Sequence, residues 1–148
     1  MFICGALFLL ASCTTPYPQT PESPQVAKGK ALYLVSCSAC HQPNGQGLQG
    51  IAPPLAGTRW PSESEDRLAR IVLHGLRGPI TVAGKDYNLE MPAMGFFDDQ
   101  DIAAILSYIR SAWGRPSRPV TRKAIGKIRA LNRKRSDSWT IEELQNTI

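Results

Sequence analysis

Residues 37–41 read Cys37-Ser38-Ala39-Cys40-His41, and the chain continues Gln42-Pro43-Asn44-Gly45-Gln46-Gly47. Two cysteines two residues apart, followed at once by a histidine, admit three chemistries. A zinc site needs about four protein ligands, and beyond these three the remaining candidate is His74. A thioredoxin-like redox pair expects a strand before it in a βαβ pattern. Here the preceding Gln25–Ser36 (QVAKGKALYLVS) reads instead as a helix, with Val26, Ala27, Leu32 and Val35 available for packing. The third chemistry is covalent haem attachment, for which C-x-x-C-H is the signature. Two thiols on one turn reach the two vinyl groups on one side of a porphyrin, and His41 is then placed under the iron, whose preference for imidazole it meets.

The rest of the chain narrows the choice. With 148 residues it is long enough for one domain with a modest core plus short appendages. Hydrophobic residues make up 43% of the chain, and the first thirteen residues, MFICGALFLLASC, are almost all apolar, a run too short to span a bilayer. That run reads as the apolar core of a secretory signal peptide over residues 1–12, although a positively charged start is missing. Leu10-Ala11-Ser12-Cys13 resembles the lipobox of bacterial lipoproteins, in which the cysteine becomes the first residue and carries lipid; a plain signal peptide with an incidental cysteine is the alternative. Residues 13–24, ending TTPYPQTPESP, have the composition of a flexible tether. The expectation is an exported protein on the periplasmic side, anchored through Cys13. Thr14 stands where some lipoproteins carry a retaining aspartate, which favours the outer membrane. Cys37 and Cys40 are then the only cysteine pair in the exported domain, where a local disulfide would staple little.

The stretch CSACHQPNGQGLQGIAPPLAGTRW resembles the haem-binding start of a class I cytochrome c, and the likeness runs from about Val26 to Trp113. It implies an all-α cytochrome c fold over residues 25–113, with helices packed around one haem c held by Cys37 and Cys40. It also implies that His41 ligates the iron and that the carbonyl of Pro53, in APPL, accepts the second nitrogen of His41. Such bonds orient an imidazole and raise its basicity. Gly45, Gly47 and Gly50 suit a loop passing close to the porphyrin face.

Met91 and Met94, in Leu89-Glu90-Met91-Pro92-Ala93-Met94-Gly95, both offer a thioether. The resemblance assigns the sixth ligand to Met91, the methionine immediately before proline, and leaves Met94 to packing. His74 is the rival axial ligand; it ends a helix expected to start with a capping box at Ser62-x-x-Glu65 and to run through Leu68, Ile71 and Val72 to Gly75. A histidine there also has the ordinary explanation of sitting at a helix C-terminus. Arg59 and Trp60 are candidates for contact with the haem propionates.

A last core helix is signalled by Asp98-x-x-Asp101 and by Ile102, Ile105, Leu106 and Ile109 on one face, ending near Ala112. The resemblance implies that it crosses the first helix at Gly29 and Tyr33 against Ile105 and Tyr108. Gly78–Asn88 alternates around Ala83-Gly84 and reads as a short hairpin. With LHGL before it and MPAMG after it, the segment is similar to the cytochrome c modules of bacterial membrane-associated quinoprotein-type dehydrogenases. An iron with both axial positions filled implies one-electron transfer between a dehydrogenase donor and a cytochrome or oxidase acceptor rather than catalysis. The alternative is a peroxidase-like haem enzyme whose methionine dissociates.

Residues 114–148 carry nine basic residues against three acidic ones, which puts this tail at +6 and the remainder at −1. No nucleic-acid recognition motif accompanies the charge. Thr121 is expected to cap a helix bearing Ala124, Ile125, Ile128 and Leu131. Thr140-x-x-Glu143 is a second capping box, with Trp139 and Leu144 as a hydrophobic staple. Those apolar residues suggest a helical extension that packs on the core; a free arm that binds a partner is the alternative.

Overall fold

The first element among the described residues is helix α1, Pro24–Ser36, whose first turn is fixed twice: Ser23 Oγ accepts the Val26 N–H, and proline occupies the first helical position, where a missing N–H costs nothing. The computed structural model describes residues 23–147. The signal segment, Cys4, Cys13 and nearly all of the tether lie outside the described residues.

After α1 the backbone makes one more helical turn, α2, Ser38–His41, which carries the cysteine pair and the histidine. A 3-10 turn, Trp60–Ser62, precedes α3, Glu65–His74. A two-stranded antiparallel hairpin follows, β1 Ile80–Val82 and β2 Lys85–Tyr87. Its turn residues Ala83 and Gly84 both have positive φ, 51° and 73°, the mirror-image turn that matches strand twist. Helix α4, Asp99–Trp113, is capped by Asp98, whose carboxylate accepts the Asp101 N–H. Helices α5, Arg122–Leu131, and α6, Ile141–Gln145, complete the extension. The architecture is the expected helical one with a short hairpin.

α1 and α4 cross at Gly29. A Cβ at this position would stand 1.9 Å from the Ala104 carbonyl oxygen and 3.0 Å from Tyr108 Cβ, so only glycine permits the contact. One turn on, Tyr33 is fully buried and its ring lies 5.4 Å from that of Tyr108 and 5.2 Å from that of Trp113. The crossing is so close that α1 buries only Gly29 and Tyr33. Val35, expected to pack, is 80% exposed, and Ala27 is exposed as well.

The start of α3 also differs from the expectation. Its cap is Ser64, which accepts the Arg67 N–H, while Ser62 ends the 3-10 turn and accepts the Arg115 N–H. Ser62 has the capping-box spacing to Glu65 and Ser64 does not, but Ser62 is taken up by the 3-10 turn at Trp60-Pro61.

The extension belongs to the same core as the rest. Val120, Ile125 and Ile128 are buried with Tyr33, Leu68, Ile102 and Ile105 in one cluster. Gln25 of α1 donates through Nε2 to the Val120 carbonyl at 2.7 Å and to Ser107 Oγ at 2.9 Å. A second cluster joins Trp139 and Leu144 of the tail to Ile71 and Leu76. The capping box at Thr140 and Glu143 is formed, with the staple residues Trp139 and Leu144 both buried. Among the described residues no helix is long and apolar enough to cross a membrane.

Candidate haem site

Between α2, α3, α4 and the loop before α4 lies a cleft in two lobes. The larger, about 800 Å³ of empty space counting its open mouth, is lined almost entirely by apolar groups, among them Leu68, Ile71 and Val72 of α3 and Ile105 and Ile109 of α4. The smaller, about 640 Å³ on the same measure, is bounded by Ile51, Ala52, Tyr87 and Leu89. Concave, mostly apolar clefts of this kind are where cofactors are commonly held. His41, Pro53, Leu76, Ile80 and Met91 line both lobes.

The local fold explains how the cysteine motif meets this cleft. The N–H groups of Cys40 and His41 both bond back to the Cys37 carbonyl, at 3.2 and 2.9 Å, winding the five residues into one turn. Cys37 therefore lines the larger lobe and Cys40 the smaller, with His41 common to the two. Neither thiol is bridged. Burial, and then the neighbouring Cys40, push the Cys37 thiol up to about 11.

His41 Nδ1 lies 3.0 Å from the Pro53 carbonyl oxygen. A carbonyl only accepts, so Nδ1 carries the proton and Nε2 is left as the basic nitrogen. Burial holds the imidazole pKa below its ordinary value, with the Pro53 bond opposing more weakly, so the ring is neutral at neutral pH. The turn is closed by Tyr33, whose phenol donates to the Gln42 carbonyl at 2.7 Å.

Two of the three glycines after the motif are held close against protein. A Cβ on Gly45 would meet the Trp113 ring at 2.6 Å, and one on Gly47 would meet the Ala52 and Pro53 backbone at 2.5 to 2.7 Å. Gly50 faces open space. At Gly45 and Gly47 the loop is thus drawn tight against protein, and its closeness delivers the Pro53 carbonyl to His41.

Met91 reaches the cleft through backbone pairing. Its N–H and carbonyl exchange bonds with Leu76, at 2.8 and 3.1 Å, and Met94 N donates to Val72 O at 2.8 Å, so residues 91–94 lie over the end of α3. Gly75, at φ 84°, leaves room for this approach, since a Cβ there would come within 2.5 Å of the Met91 carbonyl oxygen. Met94 lines only the larger lobe, Met91 both.

His74 is placed elsewhere. It lines neither lobe, and its ring stands edge-on to Trp139 at 6.4 Å. Burial and the cations of Arg135, Arg129 and Arg70 keep its pKa low. Trp60 lines the larger lobe, whereas Arg59 lines neither and lies toward Glu63, 3.6 Å away. Among the described residues no three His, Cys, Asp or Glu side chains converge to hold a bare metal ion, so the zinc reading has no cluster behind it.

The donor set suits a haem: two unbridged thiols at the two lobes of an apolar cleft, a neutral oriented imidazole, and a thioether on a loop across the cleft. The apolar residues Leu55, Leu76 and Ile80, which line the cleft from loops and from the hairpin, were not singled out from sequence because no periodicity marks them. Isolated leucines flanked by glycine or proline, as in PPLAG and HGLRG, are the signal available.

Comparison with known proteins gives the same answer. A family model described as cytochrome c matches residues 26–113. Cytochrome c-552 of Thermus thermophilus is 37% identical over 113 residues, which cover 70% of this chain and 86% of that protein. The cytochrome c subunit of gluconate 2-dehydrogenase from Pantoea cypripedii is 33% identical over 105 residues, 68% of this chain but only 24% of the subunit. The CcoP subunit of the cbb3-type cytochrome c oxidase of Helicobacter pylori is 38% identical over 84 residues, 57% of this chain and 25% of that subunit. With the match running from the first turns of α1 to the last residue of α4, this chain belongs to the cytochrome c family, carries covalently bound haem c and works in electron transfer.

Proposed function

We propose that Cys37 and Cys40 would hold the haem through two thioethers, that His41 and Met91 would ligate its iron, and that Pro53 fixes the orientation and tautomer of His41. The observation that carries this reading is that His41 and Met91, from opposite ends of the domain, line both lobes of one cleft while each cysteine lines one. When bound, the haem supplies a one-electron couple, and a thioether ligand raises its potential relative to stronger donors.

The protein's own part is position and environment. The apolar lining keeps water from the metal's surroundings and disfavours the more highly charged oxidation state. The hydrogen bond at Nδ1 keeps Nε2 available as a ligand in both oxidation states. With His41 and Met91 both serving as iron ligands there would be no place for a substrate, which supports reading the protein as a carrier rather than an enzyme.

It passes single electrons from a periplasmic dehydrogenase to a cytochrome or an oxidase; relatives named as subunits of a dehydrogenase and of an oxidase support both ends of that path. Export and lipid anchoring through Cys13, with residues 13–24 as tether, rest on the sequence of that segment.

The test is the absorption spectrum of the oxidised holoprotein. Haem c bands with the weak far-red band of methionine sulfur on ferric iron, the latter lost in Met91→Ala and kept in Met94→Ala, support the reading. Haem c bands without the far-red band, together with rapid cyanide binding, would sink it in favour of an enzyme with an open iron.

A further inference from the structure

We propose that the C-terminal extension is a clamp on the Met91 loop, with Arg129 as its positioning residue. The inference rests on the reading of Met91 as a ligand. Residues 88–98 join the hairpin to α4 without helix or strand of their own, and segments of that kind open at low free energy unless something external holds them. Here residues beyond 120 hold it at both ends.

On the α4 side, the Arg129 guanidinium joins the loop to the first residue of α4. Nη1 donates to the Gly95 carbonyl, Nη2 to the Phe97 carbonyl and Nε to Asp99 Oδ1, each at 2.7 Å. Two backbone carbonyls and a carboxylate are held by one rigid fork, which an ammonium cannot reproduce. On the other side, Ser138 Oγ lies 2.5 Å from Glu90 Oε1, one residue before Met91.

Behind Met91 the backbone is layered. Leu76 bridges to Met91 on one edge and to Trp139 on the other. The Trp139 N–H donates to the Gly75 carbonyl at 3.1 Å, and the Arg77 N–H donates to the Trp139 carbonyl at 2.8 Å. Trp139 is itself gripped, with the Arg135 guanidinium 3.6 Å from its ring centroid and that of Arg70 at 5.2 Å.

The hydrophobic contacts of α5 do not require this. Ile125 and Ile128 seat α5 in the core cluster through apolar packing, in which the Arg129 guanidinium has no part. The polar contacts therefore have a separate consequence, which is to oppose lifting of the loop and loss of its thioether from the iron.

The experiment compares oxidised holoproteins of the full chain: the parent, Arg129→Ala, Arg129→Lys, Ser138→Ala, Met91→Ala, and Arg133→Ala as an exposed arginine of the same tail. Haem content and helicity are matched, and two quantities are read: the far-red band and the rate of imidazole binding. Arg129→Ala is expected to weaken the band and to speed imidazole binding by about tenfold, the effect of losing hydrogen bonds from a charged donor. Arg129→Lys should fall between, and Arg133→Ala should match the parent.

If Arg129→Ala keeps the parent band and rate while Met91→Ala loses the band, the clamp is overturned and the ligand assignment stands. If Met91→Ala keeps the band, the ligand assignment fails and the clamp falls with it. Should Arg129→Ala not accumulate as a haemoprotein, Arg129→Lys and Ser138→Ala carry the same two readings, and parent-like values in both overturn the proposal.

Discussion

Gly47 lies so close to Pro53 that a Cβ on it would stand 2.7 Å from the very carbonyl oxygen that receives the His41 Nδ1 proton. The consequence is that two neighbouring substitutions should separate. Gly47→Ala has a φ of 69° to accommodate and a methyl directed at the acceptor, so it displaces the carbonyl. Pro53→Ala keeps the carbonyl and only frees the backbone, at about 0.4–1 kcal/mol. With the acceptor displaced, the imidazole donates less strongly to the metal. Redox titration should therefore show a raised midpoint potential in Gly47→Ala and a nearly unchanged one in Pro53→Ala; equal shifts in the two would count against the acceptor being what matters.

Gly29→Ala should be among the most damaging single changes outside the haem site. The Cβ meets backbone, the Ala104 carbonyl at 1.9 Å, which unlike a side chain cannot rotate away. Either α1 moves off α4, uncovering Tyr33, or the helices distort. The expected loss is at least about 3 kcal/mol, the upper end of overpacking costs. Guanidinium unfolding of the holoprotein reads it, and an unchanged midpoint would mean that the crossing is looser than it stands.

Local signals in the sequence were sufficient for most of the fold. Capping residues bond within three or four positions of themselves, so Asp98, Thr121 and Thr140 could be read directly, and each accepts the expected N–H. The cysteine motif was legible for the same reason, being one turn of helix. Ser62 misleads because its box spacing to Glu65 outranks Ser64 until Trp60-Pro61 is known to form its own turn. Gly45 shows a second limit. Glycine announces that something comes close, not what, and here it is Trp113. Least legible were contacts to distant backbone: nothing in the residue types says that Arg129 serves the carbonyls of Gly95 and Phe97, or that Leu76 lies between Met91 and Trp139.

Trp139→Ala tests how far the tail's second anchor matters. The indole is 6% exposed and packs with Ile71, Leu76 and Leu144. Its removal should cost about 3–5 kcal/mol, the usual range for a buried aromatic truncated to alanine. It also strands Arg70 beneath the missing ring, although Asn132 Oδ1 at 2.8 Å and the Asp66 carboxylate still satisfy that guanidinium. A loss under about 1 kcal/mol on thermal or denaturant unfolding would show the tail to be a surface appendage, contrary to the shared core.

The extension should also loosen first in acid, through Glu143. Its carboxylate takes Arg135 Nη2 at 2.7 Å and the Thr140 N–H at 2.8 Å. Arg135 first, and Thr140 second, hold its pKa below the ordinary value of 4.5. A carboxyl whose pKa is lower folded than unfolded binds fewer protons in the folded state, so it stabilises α6 at pH above its unfolded pKa. That contribution falls away as the pH drops through about 4.5 and past the folded pKa. The Leu144 amide, bonded to the Thr140 carbonyl at 3.1 Å, reports this locally. Its protection factor, corrected for intrinsic exchange, should hold steady from neutrality to about pH 5 and then fall. Glu143→Gln keeps an acceptor for the Thr140 N–H but has no proton to gain, so its protection should start lower and change little over the same range. The local amide is the right probe because Asp98, whose pKa is lowered chiefly by the Asp101 N–H, titrates in the same window and contributes to any global measure. An identical acid-dependent fall in parent and Glu143→Gln would place the sensitive carboxyl elsewhere.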